Sequence, residues 1–478
     1  MKRVAVIGGG CAGLSAAFTL EKQRQAGAEI DYTLFESTAR FGGVLCTEMI
    51  DGCQVEAGPD SFLTEKPWAS DFCRELGIGD QLVPSNDAER KTFIVVKGRL
   101  VVIPDGLMFM VPTKILPTVL SPLFSVGAKL RMAAEWFHPP RKADEDETVA
   151  AFVTRHYGPE MVDRLADPLL SGVYGGGADQ LSVRAALPRF AEMEAQHGSL
   201  GRAMLSARRK MAKAAKGPGR PLFTALTGGM QGMADAAVAK LDGSKLKPST
   251  PVQSITREAG GWVVSAGYAS DYFDAVVIAT PAQIAADLVD NFGSDLATDL
   301  RGIVYTSSIT VNLGYEGGVR QSLPPGFGFL VPRSEGTRMM AATFVHNKFP
   351  HRAAANRALI RCFVGAARNE AILNAPDDEI LNSVRAELGQ IIGLSAEPLF
   401  GRVHRWRRSM AQYGVGHLER LSRIDSFLQQ LPGLALAGNG YRGIGVPDCI
   451  RTGNEAAMKC LNSLGIRTSA PQITAAKV

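Results

Sequence analysis

The sequence predicts an α/β protein: a parallel nucleotide-binding sheet assembled from separated stretches of chain, a second unit with a mixed sheet, and a helical insertion. Three observations carry this. A β-branched run at residues 3–7 leads straight into Gly8-Gly9-Gly10-Cys11-Ala12-Gly13. Two more buried-strand patterns, at 273–279 and 434–440, stand far downstream. Between about residues 106 and 219 the pattern is mostly helical.

Residues 3–7 read as a parallel strand, apolar throughout because both of its faces are covered. Gly8 makes the tight turn, Gly10 lets a pyrophosphate reach the backbone, and Gly13 permits close packing of helix on strand. The helix beginning near Cys11 and Ala12 turns its amides and the positive end of its dipole toward the phosphates. A second strand, 31–35, ends at Glu36, 23 residues beyond Gly13. A carboxylate there accepts from ribose hydroxyls and repels a 2′-phosphate. Strand, glycine loop, helix, strand and acid together make a Rossmann-like dinucleotide unit. Glu36-Ser37-Thr38-Ala39-Arg40-Phe41-Gly42-Gly43 follows, and Arg40 with the Gly42 and Gly43 amides offers a second diphosphate cradle. With one dinucleotide fingerprint in the chain, electrons are expected to pass to oxygen or a quinone.

Further along, 251–255 and 262–266 read as strands joined by a turn, and about 449–461 as a closing helix. Residues 115–128 are uncharged but broken by Pro117 and Pro122, and too short to span a bilayer. They read equally as a membrane-surface segment or as core and channel wall. The basic run 208–220 reads as a solvated loop. Composition excludes several classes. In 478 residues, 46% hydrophobic and 21% charged is ordinary for a globular chain, and a net charge of +5 gives no reason to expect nucleic acid. Seven cysteines without a CxxC pair exclude a zinc ribbon and a thioredoxin-type pair, and no metal site is expected. With no secretion signal after Met1, the chain reads as cytoplasmic.

ExxxRxGG resembles the second half of the motif in flavoproteins of the amine-oxidase superfamily. Further segments resemble the oxygen-dependent protoporphyrinogen oxidases within it: Gly58-Pro59-Asp60-Ser61-Phe62, then 147–152, 167–174, 181–182 with 197–200, and 438–441 with 443–450. The likeness runs in order along nearly the whole chain. It implies a discontinuous Rossmann-like FAD-binding domain (1–85, 220–290 and 405–465), a mixed-sheet substrate domain (86–105 and 291–404), a helical insertion (106–219) and a flexible tail (466–478). It also implies one non-covalent FAD per chain and a tetrapyrrole substrate. Protoporphyrinogen IX would become protoporphyrin IX on the way to haem, in three hydride transfers to flavin N5, with oxygen as acceptor and peroxide formed. Coproporphyrinogen III is the nearest alternative. Amine or carotenoid-type oxidation and a non-catalytic escort role are the remote ones. No protein side chain is expected to do the chemistry itself. Peripheral membrane contact and hand-over to a ferrochelatase are left open.

Residue by residue, the resemblance puts Gly8, Gly9, Gly10, Cys11, Ala12 and Gly13 in the phosphate loop, and Glu36 and Ser37 at the ribose. Arg40, Gly42, Gly43 and Val44 fall along the diphosphate and ribityl chain, and Val252 at adenine. Gly58, Pro59, Asp60, Ser61 and Trp406 lie toward the flavin ring, with Ile444, Gly445 and Val446 closing over its pyrimidine end. Leu330, Phe363 and Gly175 are the substrate contacts. Cys449 reads as a small buried residue rather than a flavin attachment point. Two positions depart from the family: Thr92 where plant and animal members carry a propionate-pairing Arg, and Thr343 where they carry an apolar clamp. Lys91 or Arg90 could substitute for that Arg.

Overall fold

The computed structural model describes the chain except residues 109, 142–144, 215–220, 366–369 and 469–478. The side chains of the basic run 208–220 and most of the expected tail therefore lie outside the described residues.

Five parallel strands form the first sheet, in the order Leu246–Lys247, Ile30–Phe35, Lys2–Ile7, Ala275–Ile278, Leu434–Leu436. Strand geometry sends alternate residues to opposite faces. Val4, Val6 and Val277 face the helices Cys11–Gln25 and Val446–Ser463, packing with Leu14, Ala17, Ala457 and Leu461. Ala5, Ile7, Val276 and Ile278 face the other way, into a core with Ile255, Trp262, Val264 and Phe273. Those four belong to an antiparallel meander of Val252–Glu258, Gly261–Ala266 and Ala269–Phe273. The run read as one strand over 273–279 is thus two: Phe273 ends the meander and Ala275 opens the parallel strand. Asp274 forms the corner between them, accepting from Lys2 Nζ at 2.7 Å and the Arg3 amide at 2.8 Å.

A seven-stranded mixed sheet makes the second unit: Phe400–Ala411, Tyr305–Glu316, Arg357–Gly365, Met339–Phe344, Gly328–Leu330, Thr92–Val96, Arg99–Val102. Only the pair Gly328–Leu330 and Thr92–Val96 is parallel. One face carries Ile309, Val311, Ile360, Cys362 and Val364 under Ile380, Val384 and Leu388 of the helix Asp377–Ile392. By the same alternation Thr310, Asn312, Arg361 and Phe363 occupy the opposite face, toward the nucleotide unit. The strand Phe400–Ala411 is continuous and runs straight through the expected boundary at 404/405.

The helices between 115 and 214 surround a buried polar knot. His156 Nδ1 lies 3.2 Å from Glu135, and its Nε2 3.2 Å from Glu194. Glu135 also accepts from the Ser199 hydroxyl and the Leu200 amide, and Arg155 pairs with Glu194. His138 joins this group: its ring stacks on His156 at 4.4 Å, and one nitrogen of each ring lies within 4.8 Å of a Glu194 oxygen. The knot holds helices together by hydrogen bonding, with Arg155 on the carboxylate a cation would need. Among the described residues no helix is long and apolar enough to cross a membrane.

Candidate active site

The glycine loop has the predicted geometry. Gly8 sits at φ +104°, a backbone region that side chains disfavour. A β-carbon on Gly13 would collide with the Gly8 carbonyl, so the helix starts hard against the loop. Gly10 is different: a β-carbon there would meet only open space. The second glycine pair is stitched to the first, since the Gly42 amide donates to Gly9 O at 2.7 Å and Gly10 bridges to Gly42. Gly43 lies against Gly10, and Gly58 packs on the Val44 carbonyl. Gly10, Gly43, Val44 and Gly58 therefore form a continuous line of closely approached backbone, with Gly43 and Val44 exposed. It leads from the N-terminus of the first helix, at Cys11 and Ala12, toward the second sheet.

Glu36 accepts from the Gly9 amide at 2.7 Å and, through its other oxygen, from Thr38 and Ser37. The Thr250 and Ser249 amides donate to Glu36 O and Thr38 O, which brings the segment before Val252 beside Glu36. The Arg40 guanidinium departs from expectation. It donates to the carbonyls of Phe41, Gly43 and Leu45, bracing the turn at Gly42 and Gly43 rather than projecting into the crevice.

Residues 56–61 are held from behind by the second sheet. Asn312 Nδ2 donates to Glu56 O, Trp406 Nε1 to Ala57 O at 2.8 Å, Arg361 to Gly58 O, and Arg352 Nη2 to Asp60 O at 2.7 Å. The Asp60 carboxylate likewise turns back, to Lys348 Nζ at 3.0 Å and the Ser61 hydroxyl at 2.7 Å. Burial alone would raise its pKa, but Lys348, Arg361 and Arg352 hold it well below the usual carboxylate range. Asp60 can therefore offer a ligand its backbone and not its side chain. Sequence reasoning missed Asn312, Lys348, Arg352 and Arg361. The available signal was Arg361, a charge set inside the apolar run 358–365 of the strand Arg357–Gly365.

Gly445 caps the helix Val446–Ser463, whose N-terminus stands beside the first helix: Ser15 Oγ donates to Ile450 O at 2.8 Å. Ile444, Gly445 and Val446 thus present a second helix N-terminus near the glycine loop. The Tyr413 hydroxyl fixes the approach, donating to Asn439 O at 2.7 Å and accepting the Gly443 amide at 2.9 Å. Burial pushes the Cys11 thiol up to about 12 and raises that of Cys449 further, so neither is a ready nucleophile.

The strand register places Leu330 opposite Ala341, and Ala341 opposite Phe363. Two large side chains on one face thus flank a small one, across two strand spacings of about 4.8 Å each. Pro59 and Ser61 lie half-buried in the adjoining loop. The next row contains both family departures: Thr92, Gly328, Thr343 and Arg361 are consecutive neighbours across four strands. Lys91 and Arg90 are exposed at the edge of that row. Gly175 ends the helix Asp167–Tyr174 in the left-handed region and abuts Met410 and Thr306.

Residues 11–461 match the family model of flavin containing amine oxidoreductases. The coproporphyrinogen III oxidase of Bacillus subtilis (strain 168) is 33% identical, over 97% of this chain and 98% of its own. Protoporphyrinogen oxidase 2, chloroplastic/mitochondrial, of Arabidopsis thaliana is 26% identical, over 95% and 93%. A crystal structure described as "Putative protoporphyrinogen oxidase" from Exiguobacterium sp. 255-15 superposes with a TM-score of 0.85 at 29% identity, covering 97% of this chain and 99% of that one. The chain belongs to the flavin-containing amine oxidoreductases, with the α/β architecture that the sequence predicts. Within them it is an FAD-dependent porphyrinogen oxidase. The open space at Gly10, the two interlocked glycine turns and the paired helix N-termini suit a long dinucleotide such as FAD.

Proposed function

We propose that this enzyme oxidises coproporphyrinogen III to coproporphyrin III. The end-to-end match at 33% identity to a coproporphyrinogen III oxidase carries the reading, against 26% for the protoporphyrinogen oxidase. The row containing Thr92 and Thr343 agrees with it, offering hydroxyls where an apolar clamp would favour vinyl groups. Coproporphyrinogen carries propionates at all four positions, where protoporphyrinogen has two propionates and two vinyls. Protoporphyrinogen IX, the substrate expected from the sequence, is the second reading, favoured by the likeness to the Exiguobacterium structure.

FAD would lie along Gly10, Gly43, Val44 and Gly58, with its adenosine end at Glu36, Ser37 and Val252 and its ring between residues 58–61, Trp406 and residues 444–446. Bound there it supplies a two-electron acceptor that oxygen regenerates with release of peroxide. Leu330, Ala341 and Phe363 would form the notch that takes one pyrrole ring and presents a bridging carbon to that acceptor. Gly175, beside Met410, would bound the far side. A side-by-side assay of porphyrin fluorescence and oxygen uptake tests the choice. We expect kcat/KM at least tenfold higher for coproporphyrinogen III. A reversed ratio transfers the assignment to protoporphyrinogen IX, and inactivity on both removes the reading.

A further inference from the structure

Behind residues 56–61 five charged side chains are packed together: Glu56, Asp60, Lys348, Arg352 and Arg361. Four are almost wholly buried, at 3% exposure for Glu56, 8% for Lys348, 1% for Arg352 and 4% for Arg361. Asp60 contacts Lys348 at 3.0 Å and Arg361 at 3.8 Å. Glu56 contacts Arg352 at 3.2 Å and also accepts from the Met230 amide and the Thr47 hydroxyl. Three cations thus face two carboxylates. Arg352 Nε and Nη1 and Arg361 Nε are buried with no hydrogen-bond partner. A buried uncompensated charge is costly, and the cost is offset when a negative group arrives.

The loop in front relays this charge. Its carbonyls at Glu56, Ala57, Gly58 and Asp60 all point back into donors from the second unit, three on its sheet and Arg352 on the turn Pro350–Arg352. No protein acceptor takes the amides of Gly58, Asp60 or Ser61 among the described residues. Of these peptides, those joining Ala57 to Gly58 and Asp60 to Ser61 bring a free N–H to the face away from the cluster, the arrangement that stabilises an anion, whereas the Ala57 N–H donates to Cys46 O and Pro59 has none.

We propose that Lys348, Arg352 and Arg361 are positioning residues that favour the negative charge a neutral flavin ring gains on accepting a hydride, and so raise its reduction potential. This rests on the reading that residues 58–61 face that ring. A hydride brings two electrons and one proton, leaving one net negative charge for the excess cation to balance. The porphyrinogen carbon is oxidised in the same step, and its pyrrole proton leaves to solvent. The field acts through the loop, without contact between cations and substrate.

The experiment follows net charge in the holoenzyme. Lys348→Met removes the excess cation; Lys348→Arg keeps it; the double variant Asp60→Asn with Lys348→Met keeps it by a different route. Midpoint potentials from dye equilibration and visible spectra of the bound flavin are recorded for each. Lys348→Met should lower the potential by at least about 30 mV, a tenfold change in the two-electron equilibrium. The other two should stay near the unaltered protein. Lys348→Gln makes the same charge change with a hydrogen-bonding side chain, so the comparison survives a packing failure of methionine. A fall in all variants alike, or spectral changes with potentials that do not follow charge, overturns the proposal alone. Unchanged spectra, potentials and FAD affinity throughout overturn the placement of residues 58–61 against the ring as well.

Discussion

Gly10 and Gly13 sit three residues apart and do different work, which single substitutions separate. Gly10 has φ −75° and ψ −175°, extended backbone that any residue adopts, and open space at its β-position. Gly10→Val should therefore leave apo-protein stability within about 0.5 kcal/mol, yet weaken FAD at least ~100-fold, about 2.7 kcal/mol. Gly13→Ala drives a methyl into the Gly8 carbonyl and should cost about 1–3 kcal/mol of apo stability as well as affinity. Thermal unfolding of the apo-protein beside FAD titration distinguishes the two. Asp60 supplies a pH signature. Its pKa is depressed in the fold, so its contribution is complete above the unfolded value of about 3.9 and is lost as pH falls below it. Asp60→Asn should cost about 3–5 kcal/mol at pH 7. Urea midpoints should show that gap constant down to about pH 4 and narrowing below it. The glycines and Glu36 were legible because strand, turn and helix follow one another in sequence. The partners of Asp60 were not, since Lys348 and Arg361 lie 288 and more residues away and reach it only through tertiary packing.

At the scale of elements, the register of the second sheet decides what the site contains. Leu330 and Phe363 were legible as apolar positions, but Ala341 between them had no signal of its own, because a small residue in a buried strand looks like any other core alanine. Its role follows only from the pairings Leu330 with Ala341 and Ala341 with Phe363. Ala341→Leu should fill that notch and raise KM at least tenfold, leaving the flavin spectrum and FAD affinity unaltered. Steady-state kinetics beside absorption spectra check this. An unchanged KM would place the pyrrole elsewhere. Trp406 shows the converse. It was chosen as an aromatic beside the flavin ring, and the strand Phe400–Ala411 brings its indole N–H onto Ala57 O. The choice of residue was available from sequence; the hydrogen bond required knowing which loop the strand faces.

For the molecule as a whole, the helical insertion leaves an apolar surface uncovered. Leu116 is 68% exposed, Leu120 73%, Val126 74%, Leu130 67% and Phe137 81%. They come from the short helices Ile115–Leu120 and Val126–Ala134 and the turn Glu135–Phe137. Soluble proteins rarely expose so many large apolar side chains close together. Exposed Lys114 and Arg131 beside them suit anionic headgroups. Hydropathy along the chain had left membrane surface and core wall equal, because periodicity cannot tell an inward stripe from an outward one; the structure divides the segment, with Leu123 and Phe124 in the core and Leu116, Val119 and Leu120 exposed. We expect the holoenzyme to pellet with vesicles containing phosphatidylglycerol and to remain free with neutral ones or at high salt, since charge attraction is screened. Replacing Leu116, Leu120, Val126, Leu130 and Phe137 together by Ser should abolish pelleting while FAD occupancy stays full. No pelleting by the unaltered protein would overturn the membrane reading.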